Sequence, residues 1–170
     1  MTKTYKLVAS AVLIASGVLL PIAFHMLGTM GIVFLPMHLP VLIAGLFLGS
    51  KAGFLTGLIT PLLSSFITGM PPIMPILPVM TIELSTYGLV GGYLYQQKKQ
   101  PLIVSLISAM VSGRILAVAA VYALVLAIGI KMEPVAYLKG AVVTGLPGIV
   151  AQLVLIPVIV KRLHMLSNKN

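Results

Sequence analysis

The sequence predicts an all-α, polytopic membrane protein, a single six-helix transmembrane domain over residues 1–170 with both N- and C-termini cytoplasmic. Three observations lead there. Residues of the AVILMFWYC set make up 59% of the chain and charged residues only 8%, and mean hydropathy is +1.16, a balance outside the range of soluble globular domains. Apolar runs of roughly the 20 residues that cross a bilayer recur along the whole chain, punctuated by Pro, Gly or charge. The basic residues then fall mostly on one side of the resulting weave.

The first predicted span covers residues 5–24 and follows Lys3 and Lys6. It is long for the core of a secretory signal peptide, and the chain after it is equally apolar. The second, residues 36–49, is short; it either starts within the bilayer or borrows length from the glycine-punctuated stretch 28–35. A tight turn at Ser50 and Lys51 leads to the third span, residues 52–69. In the connection that follows, Pro71, Pro72, Pro75 and Pro78 disfavour helix and predict a non-helical outer wall. Such backbone is tolerated at membrane depth only when buried in protein or lining water. The fourth span is read over residues 75–95, a turn over 96–100, the fifth span over 102–130 and the sixth over 135–163.

With the N-terminus inside, the cytoplasmic side receives Lys3, Lys6, Lys51, Lys98, Lys99, Lys161, Arg162 and Lys169, and the outer side only Lys131 and Lys139. Topology therefore accounts for the net charge of +9, and no aromatic-interleaved basic patch points to nucleic acid. Zero cysteines exclude a disulfide frame, a thiolate metal site and a thiol nucleophile. Asp is absent and Glu occurs only as Glu83 and Glu133, so carboxylate pairs, metal clusters and phosphate-cradling loops all fail. No catalytic residues, metal site or cofactor of this chain's own emerge, and the reading is not an enzyme. A proton relay needs several carboxylates and a channel needs a polar stripe across the full thickness; the inner half supplies neither.

Close helix approach in lipid depends on small residues one turn apart. Gly45, Gly49, Gly53 and Gly57 keep a four-residue spacing, and Gly88 with Gly92, Ala109 with Gly113, and Ala141 with Gly145 repeat it. Packing within the bundle explains most of them. Ala11 and Ala15, with Ala9 and Ser10 beside them, form a flat patch on the first helix where an external helix can dock.

Glu83 and Arg114 are the two intramembrane charges, and charges at that depth are functional candidates by default. Each lies about 13 residues from the cytoplasmic turn between the fourth and fifth spans, so both stand roughly 20 Å above it at 1.5 Å per residue. They can pair with each other, hold a polar ligand, or do both. His38 and His25 fall on the same outer side as this pair, as capping residues or as ligand contacts, and Tyr87 lies one turn from Glu83 on the same face. Gln152, Ser64, Ser65 and Thr68 can add uncharged hydrogen bonds, although hydroxyls in spans most often bond their own backbone. Seven of the ten methionines, Met26, Met30, Met37, Met70, Met74, Met80 and Met132, cluster toward the outside. A pliant lining for a small-molecule cavity and its lid is the favoured reading over Cu(I) ligation, because nothing spaces them as ligands.

The chain resembles the substrate-binding S components of energy-coupling factor (ECF) vitamin transporters. The resemblance spans nearly the whole length and rests on the span pattern, AxxxA at Ala11 and Ala15, the run from Met37 through His38 and Pro40 to Gly45, and the proline-rich segment leading to Glu83-Leu84-Ser85-Thr86-Tyr87-Gly88. It implies a multi-pass protein of the prokaryotic cell membrane that captures a water-soluble vitamin from outside. It also implies partners: a transmembrane T subunit, docked on the small-residue face of the first helix, and two cytoplasmic ATPase subunits that use the ATP. Substrate-binding residues are then Glu83, Arg114, His38, Tyr87, His25 and Gln152. A small hydroxylated ring of the hydroxymethylpyrimidine or pyridoxine kind suits one carboxylate, histidines and tyrosine; pantothenate, anchored on Arg114, is the alternative. A membrane-embedded enzyme and a metal permease are the competing classes.

Overall fold

The structure, a computed structural model, describes residues 2–26 and 33–167, and every regular element in them is helical. In chain order these are α1 (Lys3–Met26), α2 (His38–Ile43) running on into a π-helical turn (Ala44–Leu48), α3 (Ser50–Thr68), α4 (Ile76–Gly92) running on into a second π-turn (Tyr93–Gln97), α5 (Leu102–Ile128), α6 (Pro134–Val143) and α7 (Leu146–Ser167). Among the described residues four helices are long and apolar enough to cross a membrane: Lys3–Phe24, Ser50–Thr68, Leu102–Ile128 and Leu146–Ser167. His38–Leu48 and Pro134–Val143 are shorter apolar helices. The helix within the second predicted span is short, and of the stretch 28–35 from which that span was to borrow length residues 28–32 lie outside the described residues, as does Lys169.

Two expectations are corrected. The sixth predicted span is not one helix but two, α6 and α7, divided at Thr144 and Gly145. Pro147 explains the break: it lacks an N–H and disfavours helical backbone just before it, and the neighbouring glycines have poor helix propensity. Ala141 and Gly145 are therefore not a packing pair along one helix. The outer wall is also shorter in its irregular part than expected. Non-helical backbone stops at Pro75, and Pro78 is taken into the first turn of α4, where a missing N–H costs nothing.

The predicted glycine rows do bring helices together, with one exception. A Cβ at Gly88 would overlap the Gly53 backbone, one at Gly57 the Leu84 carbonyl, and one at Gly92 the backbone of Ser50. α3 and α4 thus touch main chain to main chain, the route to tight association where lipid offers no hydrophobic drive. Ala109 likewise lies against Gly91 across the α4–α5 interface. The exception is Gly49, which packs on nothing: its φ of 107° makes it the turn into α3.

The π-turns finish the end of the bundle that carries the Ser50 and Gln96 turns. Widened turns free carbonyls, and the Gln96 side-chain amide donates to Leu46 O at 2.7 Å and Phe47 O at 3.1 Å, while Gln97 donates to Ser50 Oγ at 2.7 Å. His164 of α7 stacks edge-on to Phe47 at 5.1 Å between ring centroids and lies 5.8 Å from Tyr95. Above this end sits the core, built on Leu42, Leu46, Leu84, Tyr87, Leu106 and Ile156. α1 stands at the margin, with Leu7, Val8, Val12 and Leu19 largely exposed and Ala11 and Ala15 facing outward between them.

Candidate functional site

The two intramembrane charges meet. Arg114 Nη1 lies 3.0 Å from Glu83 Oε1, with the carboxylate side chain 1% exposed and the guanidinium side chain 12%. Their equal depth, inferred from residue counts about the Gln96 turn, is what allows α4 and α5 to present them to each other. His38 Nε2 lies 3.5 Å from the same Oε1, and the His38 ring meets the Tyr87 ring edge-on at 5.4 Å.

Local sequence positions each group. His38 opens α2 directly after the Pro36–Met37 turn, its backbone N–H donating to Leu35 O at 3.0 Å. Tyr87 follows Glu83 by one helical turn, and its ring fits only because Gly113 has no side chain: a Cβ there would run into the ring. The glycine preceding Arg114 thus decides where the tyrosine lies.

This cluster borders a cavity of about 380 Å³, lined among others by Leu35, His38, Met80, Glu83, Arg114 and Tyr137. Its far wall is α6, which contributes Tyr137, Gly140 and Ala141 from one face, with Thr144 at its C-cap. Two polar atoms here are buried with neither a hydrogen bond nor an ion contact, His38 Nδ1 and Arg114 Nη2, while Glu83 Oε1 and His38 Nε2 are held only by the ion contacts just described. Unmet polar atoms of this kind are costly unless something fills the space beside them.

Of the expected site residues, Glu83, Arg114, His38 and Tyr87 are brought together. The His25 side chain lies outside the described residues. Gln152 is fully buried on α7 with neither amide atom bonded, yet it lines neither this cavity nor its neighbour. Ser64 and Ser65 donate to Met70 O and Pro71 O, each at 2.7 Å, and so fasten the proline segment to α3 rather than face the cavity. Thr68 bonds its own helix at Ser64 O. Among the outer methionines Met80 lines the cavity, Met37 is core, Met132 packs against the smaller apolar cluster, and Met26, Met70 and Met74 are exposed; Met30 lies outside the described residues. Sequence reading missed Tyr137. Its spacing with Gly140, Ala141 and Thr144, at i, i+3, i+4 and i+7, marks one helix face and was the available signal.

The family model for the ECF transporter substrate-specific component matches residues 5–160. The chain belongs to that family. It is a membrane transport protein, the S component that binds a small-molecule substrate for a transporter whose other parts are a transmembrane T subunit and ATPases, and it is not an enzyme. Both competing classes give way to that assignment. No curated protein and no solved structure gives a significant match.

Proposed function

We propose that this S component captures a small, hydroxylated ring compound of the hydroxymethylpyrimidine or pyridoxine kind at the Glu83 cavity. The observation that carries this reading is the buried carboxylate flanked by Arg114 and His38, with Arg114 Nη2 and His38 Nδ1 lacking partners beside a ring-sized space. A hydroxyl or ring N–H donates to Glu83 Oε1, and an acceptor on the ligand takes the free Arg114 Nη2. Tyr137 and Tyr87 close the cluster with donors of their own. The unpartnered Nη2 is also what favours the second reading, an anionic substrate such as pantothenate. Glu83 already neutralises the guanidinium, which makes a further negative charge in this buried space the less favourable guest.

The chain crosses the cell membrane six times, through α1, α3, α5 and the α6–α7 pair, which contain the four long helices, and through α2 and α4, with both termini cytoplasmic. The basic excess at Lys3, Lys6, Lys51, Lys98, Lys99, Lys161 and Arg162 supports that orientation. Ala11 and Ala15 dock the T subunit, a role supported by their outward placement on a helix that the bundle leaves largely uncovered.

Native mass spectrometry of gently purified protein tests the substrate. A co-purified ring compound that is lost in Glu83→Gln supports the reading. Undiminished retention of that ligand in both Glu83→Gln and Arg114→Ala would overturn it.

A further inference from the structure

A second cavity of about 590 Å³ adjoins the first. Its walls are apolar, formed by Ile107, Val111 and Val118 of α5, Leu138 and Val142 of α6, and Leu153 of α7. Arg114 lines both cavities, and Tyr87 stands beside it in this one. On the open side Ile107 and Val111 are about half exposed, so the space is a groove rather than a sealed void.

The chemistry at its inner end restricts the occupant. Arg114 Nη1 is committed to Glu83, whereas Nη2 is buried and has no acceptor. A bilayer acyl chain lying in the groove supplies none. Nor do lipid headgroups reach it: Arg114 is near the middle of α5, roughly 20 Å from either end at about 1.5 Å per residue. Whatever satisfies Nη2 while covering the apolar wall must carry both a polar and an apolar part. The Glu83–Arg114 pair has no net charge, and an uncompensated charge brought into this space is costly.

We infer that the substrate is amphipathic: a compact hydrogen-bonding head without net charge sits at Glu83, His38 and Arg114, and an apolar arm of the same molecule passes Tyr87 into the groove between α5, α6 and α7. The inference rests on the polar cavity being the binding site. It narrows the substrate class to ring compounds carrying an aliphatic or aromatic substituent.

The test uses 3-hydroxypyridine and its 2-alkyl homologues, methyl to hexyl, titrated calorimetrically against the full-length protein in lipid nanodiscs. Each methylene that leaves water for the groove tightens binding about fourfold, until the groove is full. Val118→Trp and Leu138→Trp, made separately, each fill the groove and flatten the dependence on chain length. The slope is the readout, so a uniform loss of affinity in a variant does not imitate the result, and the wild-type slope stands if either variant fails to fold. Binding of the parent with a flat wild-type series overturns the arm and leaves the polar site standing. A slope retained in both filled variants also overturns it, because the chains are then entering lipid. No binding by any member overturns this inference together with the ring-compound reading.

Discussion

Replacing Arg114 by leucine removes the cation 3.0 Å from a carboxylate that is 1% exposed. At that distance the attraction is on the order of 5 kcal/mol for an effective dielectric of about 20, an upper bound on what the pair contributes. The loss has a second part: Glu83 stays buried with its charge uncompensated, a situation that typically costs about 3–5 kcal/mol. Replacing both partners removes that penalty. The expectation is therefore a cycle in which Arg114→Leu lowers stability by about 3–5 kcal/mol, equivalent to roughly 6–20 °C in Tm for a chain of this size. Adding Glu83→Gln then restores most of the loss. Ligand binding behaves oppositely, falling more than tenfold in each single variant and staying low in the double, because the contacts themselves are gone. Thermal unfolding of the four purified proteins, with and without ligand, measures both. If the single and double variants unfold at the same temperature as the wild type, the charges are solvated and the burial argument fails.

Three further outcomes are expected. Gly113→Leu drives a side chain into the Tyr87 ring and weakens ligand retention about tenfold or more, while the conservative Tyr87→Phe at an unaltered Gly113 loses less; equal retention by Gly113→Leu and wild type in native mass spectrometry counts against the placement of the ring. Gln96→Ala leaves the Leu46 and Phe47 carbonyls without their side-chain donor and lowers stability by about 1–2 kcal/mol, with ligand affinity unchanged in titration, since none of these residues lines the cavity. Ala11→Leu and Ala15→Leu, on the outward face of α1, preserve binding but reduce uptake into cells by preventing close docking; normal uptake by the double variant removes that surface from consideration.

Much of this architecture was legible in the chain because lipid imposes simple rules. Apolar length announces the helices, and glycines at four-residue spacing mark where they touch: Gly53, Gly57, Gly88 and Gly92 all lie in the α3–α4 interface. The meeting of Glu83 and Arg114 followed from counting residues outward from a shared turn, since a helix converts sequence separation into depth. The sixth span was misread because apolar content hides a break that only the local backbone demands, at Gly145 before Pro147.

What the tertiary structure alone decided is which side chains share a space. Hydropathy carries depth but not azimuth, so it placed Gln152, Ser64 and Glu83 on an equal footing as polar residues in apolar spans. The rotation and packing of α3 and α7 turned the first two away, Gln152 into the core and Ser64 onto the Met70 carbonyl, while α6 brought Tyr137 to the wall of the cavity that holds the carboxylate. The larger cavity likewise exists only because α6 and α7 stand off from α5, and the smaller one opens where α2, α4, α5 and α6 face one another. No property of a single helix specifies the gap between two of them.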